Sequence, residues 1–192
     1  MSKTTKGEES RKRLLSAAEK LFAEQGVHAT SVSSIVAEAG LTQAAFYLYF
    51  PGKRQLLDAL IASFEAQIAP FADAGRLANE HSPEELPRYV AGVFTSLFEL
   101  LGNNINLTRI VLQHSDAGEQ LRETIVTQIA GNIHKNKALG IVRSEVEPEL
   151  AAESVVAAAE RLTYKYSAMG EYTPEQLGAH MARTFLLGVL PH

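Results

Sequence analysis

The sequence predicts an all-α protein of about nine helices. Apolar residues recur at every third and fourth position in many segments, alternation with a period of two is almost absent, and capping and breaking residues separate the segments. At 192 residues, with 46% hydrophobic and 21% charged residues, the chain has the composition of a folded protein and room for two compact helical units.

Capping and breaking residues set the limits of each predicted helix. In chain order, the helices are expected at about residues 8–24, 31–39, 43–50, 53–69, 83–101, 105–114, 116–140, 148–168 and 174–190. The hydroxyl residues that precede helices as N-caps are Thr30 or Ser31, Thr42, Ser82, Ser115 and Thr173. The residues that end helices are Gly26, Gly40, Pro51, Pro70, Gly102, Gly140 and Pro191. Residues 71–81 are predicted to be a loop.

Charge is distributed unevenly along the chain. Residues 1–54 carry eight Lys or Arg and five Asp or Glu, a net charge of +3, whereas residues 55–192 carry ten and seventeen, a net charge of −7. Any affinity for phosphate is therefore expected at the N-terminal end only, although the whole chain is acidic. The basic residues of the first segment (Lys3, Lys6, Arg11, Lys12 and Arg13) would either follow a nucleic-acid backbone or form a solvated tail.

The second and third helices form a helix-turn-helix pattern around Gly40, in which the second helix of the pair enters the major groove of DNA. At about 100° per residue, Gln43 and Tyr47 fall on one face of the third helix, with Ala44 beside them. Phe46 falls on the opposite face and should pack inward. Glutamine can pair with adenine through two hydrogen bonds, and a tyrosine hydroxyl commonly reaches a phosphate. The pattern therefore predicts an outward DNA-reading face.

Residues 10–60 closely resemble the signature of TetR-type transcriptional regulators. The resemblance lies in the end of the first helix, in the helix-turn-helix and in the segment that follows it: Ala17–Gly26, Ala29–Val32, Ala39–Leu41, Phe46–Lys53 and Leu56–Leu57. It implies a DNA-binding domain at residues 1–54 and a helical ligand-binding and dimerisation domain at residues 55–192. It also implies a repressor that a small molecule releases from its operator by shifting the fourth helix.

The resemblance also implies which residues meet DNA. These are Thr30, Ser31, Ser33, Thr42, Gln43, Ala44, Tyr47, Tyr49 and Lys53. Of them, Thr42 and Lys53 are expected to hold phosphates. Tyr49 stands where the family often has a phosphate-binding His, although the helical geometry places it on the inward face unless the helix unwinds before Pro51. Ser33 and Ala44 stand where Arg and Gly are frequent in the family.

The last two helices are the best candidates for a homodimer interface. The eighth presents small residues, the ninth presents an apolar stripe, and two such helices from each chain would form a four-helix bundle. The candidate contacts are Val155, Val156, Ala159, Met181, Phe185 and Val189. Intrachain core packing is the alternative explanation. A dimer is also expected because one short recognition helix reads too few bases for useful specificity.

A pocket for a small-molecule effector is expected among the fifth to eighth helices, where aromatic and polar residues recur. The candidate lining residues are Phe94, Phe98, Leu101, Arg109, His114 and Tyr164. If Arg109 faces the pocket, it favours an anionic or carbonyl-bearing ligand. Ordinary core packing explains the phenylalanines equally well, and solvation explains the Arg and His.

No cofactor, metal or enzymatic activity is predicted. The chain has no cysteine, no pair of histidines at i and i+4, no phosphate-binding glycine loop and no nucleophile elbow. The polar first residues predict no signal peptide, no apolar run reaches membrane-spanning length, and a cytoplasmic protein is expected. Two alternatives stay open. One is a DNA-binding protein without a ligand, and the other is a helical enzyme or metal-binding body, for example with His114, Asp116 and Glu119 as ligands, fused to the DNA-binding head.

Overall fold

A computed structural model describes residues 6–114, 116–167 and 169–189, without the side chains of residues 113–117 and 167. This part of the chain contains nine α-helices and no strand. The helices are α1 (Lys6–Gln25), α2 (Val32–Ala39), α3 (Gln43–Tyr47), α4 (Lys53–Asp73), α5 (Leu86–Asn103), α6 (Ile105–His114), α7 (Asp116–Ala138), α8 (Pro148–Leu162) and α9 (Pro174–Val189). The predicted all-α class is confirmed.

The chain divides into two compact units. Among the described residues, the head unit contains residues 6–65 together with those of 106–118, and the body unit contains residues 66–105 and those of 119–189. Helix α6 is therefore grouped with the head unit, although it follows α5 of the body unit along the chain. The domain boundary at residue 54 stays a prediction.

Two fully buried phenylalanines and three aliphatic side chains form the centre of the head unit. These residues are Leu14, Phe22, Ile35, Phe46 and Leu56, each with an exposed fraction of 1% or less. Contacts at the surface also join α1 to α2. The Arg13 guanidinium donates to the carbonyls of Ala39 and Gly40 at the end of α2, and Lys20 pairs with Glu38 at 2.7 Å. The head helices are thus held together at their ends as well as through the core.

Two clusters of apolar residues form the core of the body unit. The first joins α5 to α9 and contains Phe94, Phe98, Leu177, Met181 and Ala182. The second joins α7, the segment after it, α8 and α9, and contains Val126, Ala130, Ile133, Val142, Val146, Ala152, Leu186 and Val189. Helix α9 contributes to both clusters and is therefore the central element of the body.

The end of α4 differs from the prediction. The helix continues through Pro70 to Asp73 and is followed by a 3-10 helix at Ala74–Glu80, where a loop was expected. Proline removes one N–H donor, but its fixed φ angle suits a helix, so the chain can continue in helical form when other contacts compensate. Three side chains of the body donate to carbonyls that follow Pro70 and so stabilise the helical path of this segment. They are Asn132 to Ala72, Tyr89 to Ala74 and Asn136 to Gly75, at 2.9–3.0 Å.

Two other helix ends depart slightly from expectation. The Ser82 and Glu85 side chains exchange hydrogen bonds with each other's backbone N–H groups, as a capping box should, but α5 itself begins one turn later at Leu86. Helix α8 ends at Leu162 and passes into a π-helical turn over Thr163–Ser167. The predicted cap Ser115 and helix end Ala168 lie outside the described residues.

Candidate nucleic-acid interface

Helices α2 and α3 are short, and side-chain caps define where each begins. The Ser31 hydroxyl accepts from the Ser34 N–H at 3.0 Å, and the Ser34 hydroxyl accepts from the Ser31 N–H at 3.1 Å. The Thr42 hydroxyl accepts from the Ala45 N–H at 3.2 Å. Between the two helices, Gly40 has a φ of +62°, which a residue without a Cβ adopts readily. These local interactions fix a tight helix-turn-helix.

Helix α3 buries one face and exposes the other. Phe46 is completely buried, whereas Gln43, Ala44 and Tyr47 are exposed, Tyr47 by 57%. The Gln43 side-chain Nε2 donates to the Ser33 hydroxyl of α2 at 2.7 Å. One N–H and the amide oxygen of Gln43 remain available to a ligand. This face therefore offers a donor and an acceptor side by side, the arrangement that pairs with an adenine edge.

Tyr49 lies outside α3, which ends at Tyr47 before the chain reaches Pro51. Residues that precede a proline tend to leave the helical conformation. The angular spacing along α3 therefore does not determine where the Tyr49 side chain points. Its side chain is half-buried. Tyr49 is therefore partly accessible at the surface and less exposed than Tyr47.

Thr30 points into the head unit. Its side chain is 1% exposed, and its hydroxyl donates to the carbonyls of Gly26 at 2.9 Å and Leu21 at 3.3 Å. The hydroxyl is therefore occupied within the protein. Thr30 fixes the segment between α1 and α2, and its hydroxyl does not face outward as a DNA contact would require.

The Lys53 ammonium also binds the segment between α1 and α2. Its Nζ donates to the carbonyls of Val27 at 2.6 Å, Thr30 at 2.7 Å and His28 at 3.3 Å. All three donor positions of an ammonium are thereby used. The sequence predicted that this lysine holds a phosphate and did not indicate that it joins the start of α4 to the segment between α1 and α2.

Replacing Lys53 with alanine should lower the free energy of unfolding of the DNA-free protein by about 2 kcal/mol, because three carbonyls lose a charged donor. Thermal denaturation followed by circular dichroism measures this loss. Arg54→Ala is the matched control, since Arg54 is the exposed neighbouring cation. An unchanged melting temperature for Lys53→Ala, with a salt slope of DNA binding reduced by about one, would instead identify Lys53 as a phosphate ligand.

The basic residues near the N-terminus are helical from Lys6 onward. Arg13 is used at the end of α2, as described above, and the Arg11 guanidinium lies 5.2 Å from the centre of the Phe50 ring. Lys12 is exposed. Lys3 lies outside the described residues. Two of these cations therefore support the head fold, a role that their charge alone did not indicate.

The predicted effector residues have different surroundings, and their assignment to a pocket stays a prediction. Phe94, Phe98 and Leu101 are buried core residues of the body unit. Arg109 is exposed on α6 of the head unit, and the His114 side chain lies outside the described residues. Tyr164 is half-buried in the turn after α8. The core explanation therefore accounts for the phenylalanines.

The predicted dimer residues are also largely internal. Ala159, Met181 and Val189 are buried within a single chain, while Val155, Val156 and Phe185 are half-buried against its apolar clusters. The outer faces of the same two helices are exposed, and they include Leu150 (69% exposed) and Leu187 (72% exposed). The six predicted contacts thus lie on the inward faces or the margins of α8 and α9, and an interface at these helices stays a prediction.

The body unit has a groove that sequence reasoning missed. It has a volume of about 1020 Å³ and lies between the C-terminal end of α4, the following 3-10 helix and one face of α5. Its lining includes Phe71, Leu77, His81, Tyr89 and Val93. The sequence feature that could have indicated this groove is the pair Tyr89 and Val93. They lie one turn apart on α5, on the side away from the core-facing phenylalanines.

Neither a metal-binding cluster nor a membrane-spanning helix occurs in the described part of the chain. No group of three His, Asp or Glu side chains there is arranged to hold an ion. The side chains of two of the suggested metal ligands, His114 and Asp116, lie outside the described residues. None of the helices described is both long and apolar enough to span a membrane.

Known proteins match both the head and the whole chain. The sequence model for bacterial regulatory proteins of the tetR family matches residues 14–60. The uncharacterized HTH-type transcriptional regulator YdgC of Bacillus subtilis (strain 168) is 32% identical over 187 residues, which cover 97% of this chain and 96% of that protein.

Solved structures share the fold. SmeT, the repressor of the Stenotrophomonas maltophilia multidrug efflux pump SmeDEF, superposes with a TM-score of 0.72 at 21% identity, covering 98% of this chain and 92% of that one. A SmeT–triclosan complex gives a TM-score of 0.69 at 21% identity, with 95% and 92% covered. These similar proteins are regulators rather than enzymes. The chain is therefore a helix-turn-helix transcriptional regulator and belongs to the tetR family of bacterial regulatory proteins.

Proposed function

We propose that this regulator binds a palindromic DNA operator as a homodimer and represses transcription until a small molecule bound by the body unit releases it. The observation that carries the DNA-binding part is the exposed face of α3, where Gln43, Ala44 and Tyr47 stand outward on a capped helix whose opposite face is buried. The net charge of +3 over residues 1–54 supports the same conclusion, because phosphate contacts supply most non-specific affinity.

Within this interface, Gln43 reads a base edge and the small Ala44 allows the backbone of α3 to approach the groove. The Thr42 hydroxyl accepts from the Ala45 N–H, so its proton is available to a phosphate oxygen. Tyr47, with Tyr49 beside it, and the exposed Ser31 and Ser33 complete the surface. Thr30 and Lys53 support this surface indirectly, because they fix the segment between α1 and α2.

DNA selection tests this assignment. The full-length protein is incubated with a pool of duplexes that carry a randomised central segment, and bound DNA is sequenced. We expect two inverted half-sites with centres about 34–36 Å apart, or a multiple of that distance, and affinity that falls steeply with salt. The double variant Gln43→Ala/Tyr47→Ala should keep the wild-type melting temperature and enrich no sequence. Enrichment of the same palindrome by this variant would contradict the proposed face.

Release by a small molecule is supported by two observations. The body unit contains a groove of drug-accommodating size, and SmeT, which shares the fold, has been solved as a complex with triclosan. An effector works only if its affinity differs between the DNA-binding and released states of the dimer. Operator binding that no small molecule weakens would favour the constitutive DNA-binding protein instead.

The dimer interface is proposed at the exposed faces of α8 and α9. Their small residues, Ser154 and Ala157 on α8 and Ala179 on α9, allow helices from two chains to approach closely. Leu150 and Leu187 would bury their exposed side chains there. Val155, Val156 and Phe185 would lie at the margin of such an interface, because they are half-buried already.

Replacing Leu187 with glutamate should convert the dimer to a monomer. A carboxylate in a desolvated interface costs about 2 kcal/mol or more, which weakens association by about 30-fold. Sedimentation at micromolar concentration measures the change. Leu139→Glu is the matched control, because Leu139 is a similarly exposed leucine (61%) in the segment after α7. A dimer that survives Leu187→Glu would mean that another surface forms the interface.

A further inference from the structure

The groove of the body unit is bounded entirely by residues 70–96. The end of α4 and the 3-10 helix form one wall, and the first three turns of α5 form the other. Its volume of about 1020 Å³ is at the upper end of the range for pockets that bury drug-sized ligands. Helix α5 turns Phe94 and Phe98 into the core, so the groove lies on a different side of this helix from the apolar cluster.

A stacked pair of aromatic side chains lines this groove. The rings of His81 and Tyr89 are stacked with centroids 4.1 Å apart and an interplanar angle of 28°. The Tyr89 hydroxyl donates to the Ala74 carbonyl at 2.9 Å, which fixes the orientation of its ring. The remaining lining is apolar at Phe71, Leu77 and Val93, all half-buried. A ligand with an aromatic or extended apolar part could therefore pack against both a flat ring face and an apolar wall.

Gly92 leaves space within the lining. It lies in the interior of α5, and a Cβ built on it would meet no atom within 4 Å. Glycine lowers helix stability relative to alanine, so helix formation does not explain a glycine at this position. A side chain added at Gly92 would enter the groove itself.

Carboxylates dominate the charge around the groove. Asp73, Glu84 and Glu85 line it with a single guanidinium, that of Arg88, and residues 70–96 as a whole carry four Asp or Glu and two Arg. Asp73 is paired with Arg76 at 3.0 Å, whereas Glu84 makes no hydrogen bond or ion pair with any residue that the structure describes. Hydrogen bonds from Ser82 hold the pKa of Glu85 below its usual value, so this carboxylate stays ionised at neutral pH. The groove therefore favours positive charge.

We propose that this groove binds an organic cation with an aromatic body. The aromatic part packs against the His81–Tyr89 pair and the apolar wall, and the positive charge faces Glu84 and Glu85. A cation near the Tyr89 ring gains further attraction from the ring face. The further claim that such a cation is the effector rests on the proposed ligand-responsive function. Binding to the groove is a separate property that can be measured without DNA.

Two probe ions of nearly equal size and opposite charge test the chemical class. Tetraphenylphosphonium is the cation and tetraphenylborate the anion, and each is titrated into the full-length protein by calorimetry. We expect one cation per chain and at least tenfold weaker binding of the anion. Equal affinity for the two ions, or no binding of the cation at millimolar concentration, would overturn the proposal.

Two glycine variants test the location. Gly92→Leu fills the groove and should weaken cation binding at least tenfold without lowering the melting temperature. Gly131→Leu is the matched control, because Gly131 is an exposed helical glycine on α7 with no atom within 4 Å of its built Cβ. Its affinity should equal that of the wild type. Unchanged binding by Gly92→Leu would place the site elsewhere. His81→Ala, which removes half of the aromatic pair, provides a second variant with the same expected direction.

Charge variants separate electrostatic recognition from packing. Glu84→Gln should weaken cation binding roughly threefold at low salt, and the difference should disappear at high salt, as expected for an exposed charge pair. Glu123→Gln removes the same charge from the exposed face of α7 and should have no effect. Cation binding that is independent of Glu84 at low salt would count against the proposed orientation of the ligand.

Operator binding distinguishes the two proposals. If the cation binds the wild-type groove and leaves operator affinity unchanged, the groove assignment stands and release by this ligand class is wrong. If the protein binds operator but no cation, the groove assignment is wrong and the DNA-binding function stands.

Discussion

Alanine in place of Gly178 should destabilise the protein by about 2–3 kcal/mol, the cost of overpacking a tight core. Gly178 is buried on α9 where this helix crosses α5. A Cβ built on it would lie 2.6 Å from the Thr95 N and 2.9 Å from the Ala91 carbonyl oxygen, and it would overlap the Thr95 hydroxyl oxygen. Backbone atoms cannot rotate away, so the two helices must separate and both apolar clusters of the body must repack.

Thermal denaturation followed by circular dichroism measures this effect, and the melting temperature should fall by roughly 5–10 °C for a chain of this length. Gly188→Ala is the matched control. Gly188 lies ten residues further along the same helix, is exposed, and has no atom within 4 Å of a built Cβ. Because alanine is the better helix former, this variant should be stabilised by up to about 1 kcal/mol. Equal melting temperatures for the two variants would show that α5 and α9 do not approach so closely.

Gly178 also illustrates what a sequence cannot reveal about a helical core. The apolar stripe of α9 was visible in the spacing of Leu177, Met181 and Phe185. It was assigned to a dimer interface, with core packing as the alternative, and Leu177 and Met181 are buried within the single chain. A glycine within that stripe looks only like a weak point in the helix. Glycine is needed here because the backbone of α5 lies against it. Since α5 is distant in sequence, this contact can be recognised only in the folded structure.

Most helix starts could be predicted because they depend on residues within one turn. Ser31, Thr42 and Thr173 cap the helices that follow them through their own side chains, and Pro148 begins α8 as its fixed φ angle favours. Pro70 was misleading for the converse reason. The side chains that stabilise the helical segment after it, such as Asn132 and Tyr89, come from other parts of the fold.

The candidate DNA surface was predictable to the same extent. Angular spacing along α3 correctly separated the buried Phe46 from the exposed Gln43 and Tyr47. Position within a motif did not reveal where the polar ends of Thr30 and Lys53 point, because each binds carbonyls that the folded chain brings near it. The groove near Tyr89 depends on the path of residues 71–81, which were predicted to be a loop.

Replacing Gln43 with alanine should remove base discrimination at one position of each operator half-site. A glutamine that pairs with adenine through two hydrogen bonds contributes about 1–3 kcal/mol of discrimination. A homodimer uses the residue twice, so on a palindrome the change acts in both half-sites. The selected operator should therefore bind about 5- to 150-fold more weakly per half-site, while binding to unrelated DNA stays nearly constant.

Gel-shift titrations with all four bases at each operator position measure this loss. Ser33→Ala should give a smaller relaxation at the same position, because the 2.7 Å bond from Gln43 to the Ser33 hydroxyl restrains the amide and is absent in that variant. Gln25→Ala, at the exposed end of α1, is the control for losing a glutamine from the head surface. If Gln43→Ala weakens binding to every sequence equally, the residue contacts the backbone of DNA and Ser33 restrains a phosphate ligand. Loss confined to one base pair in each half-site requires that the amide reads a base edge.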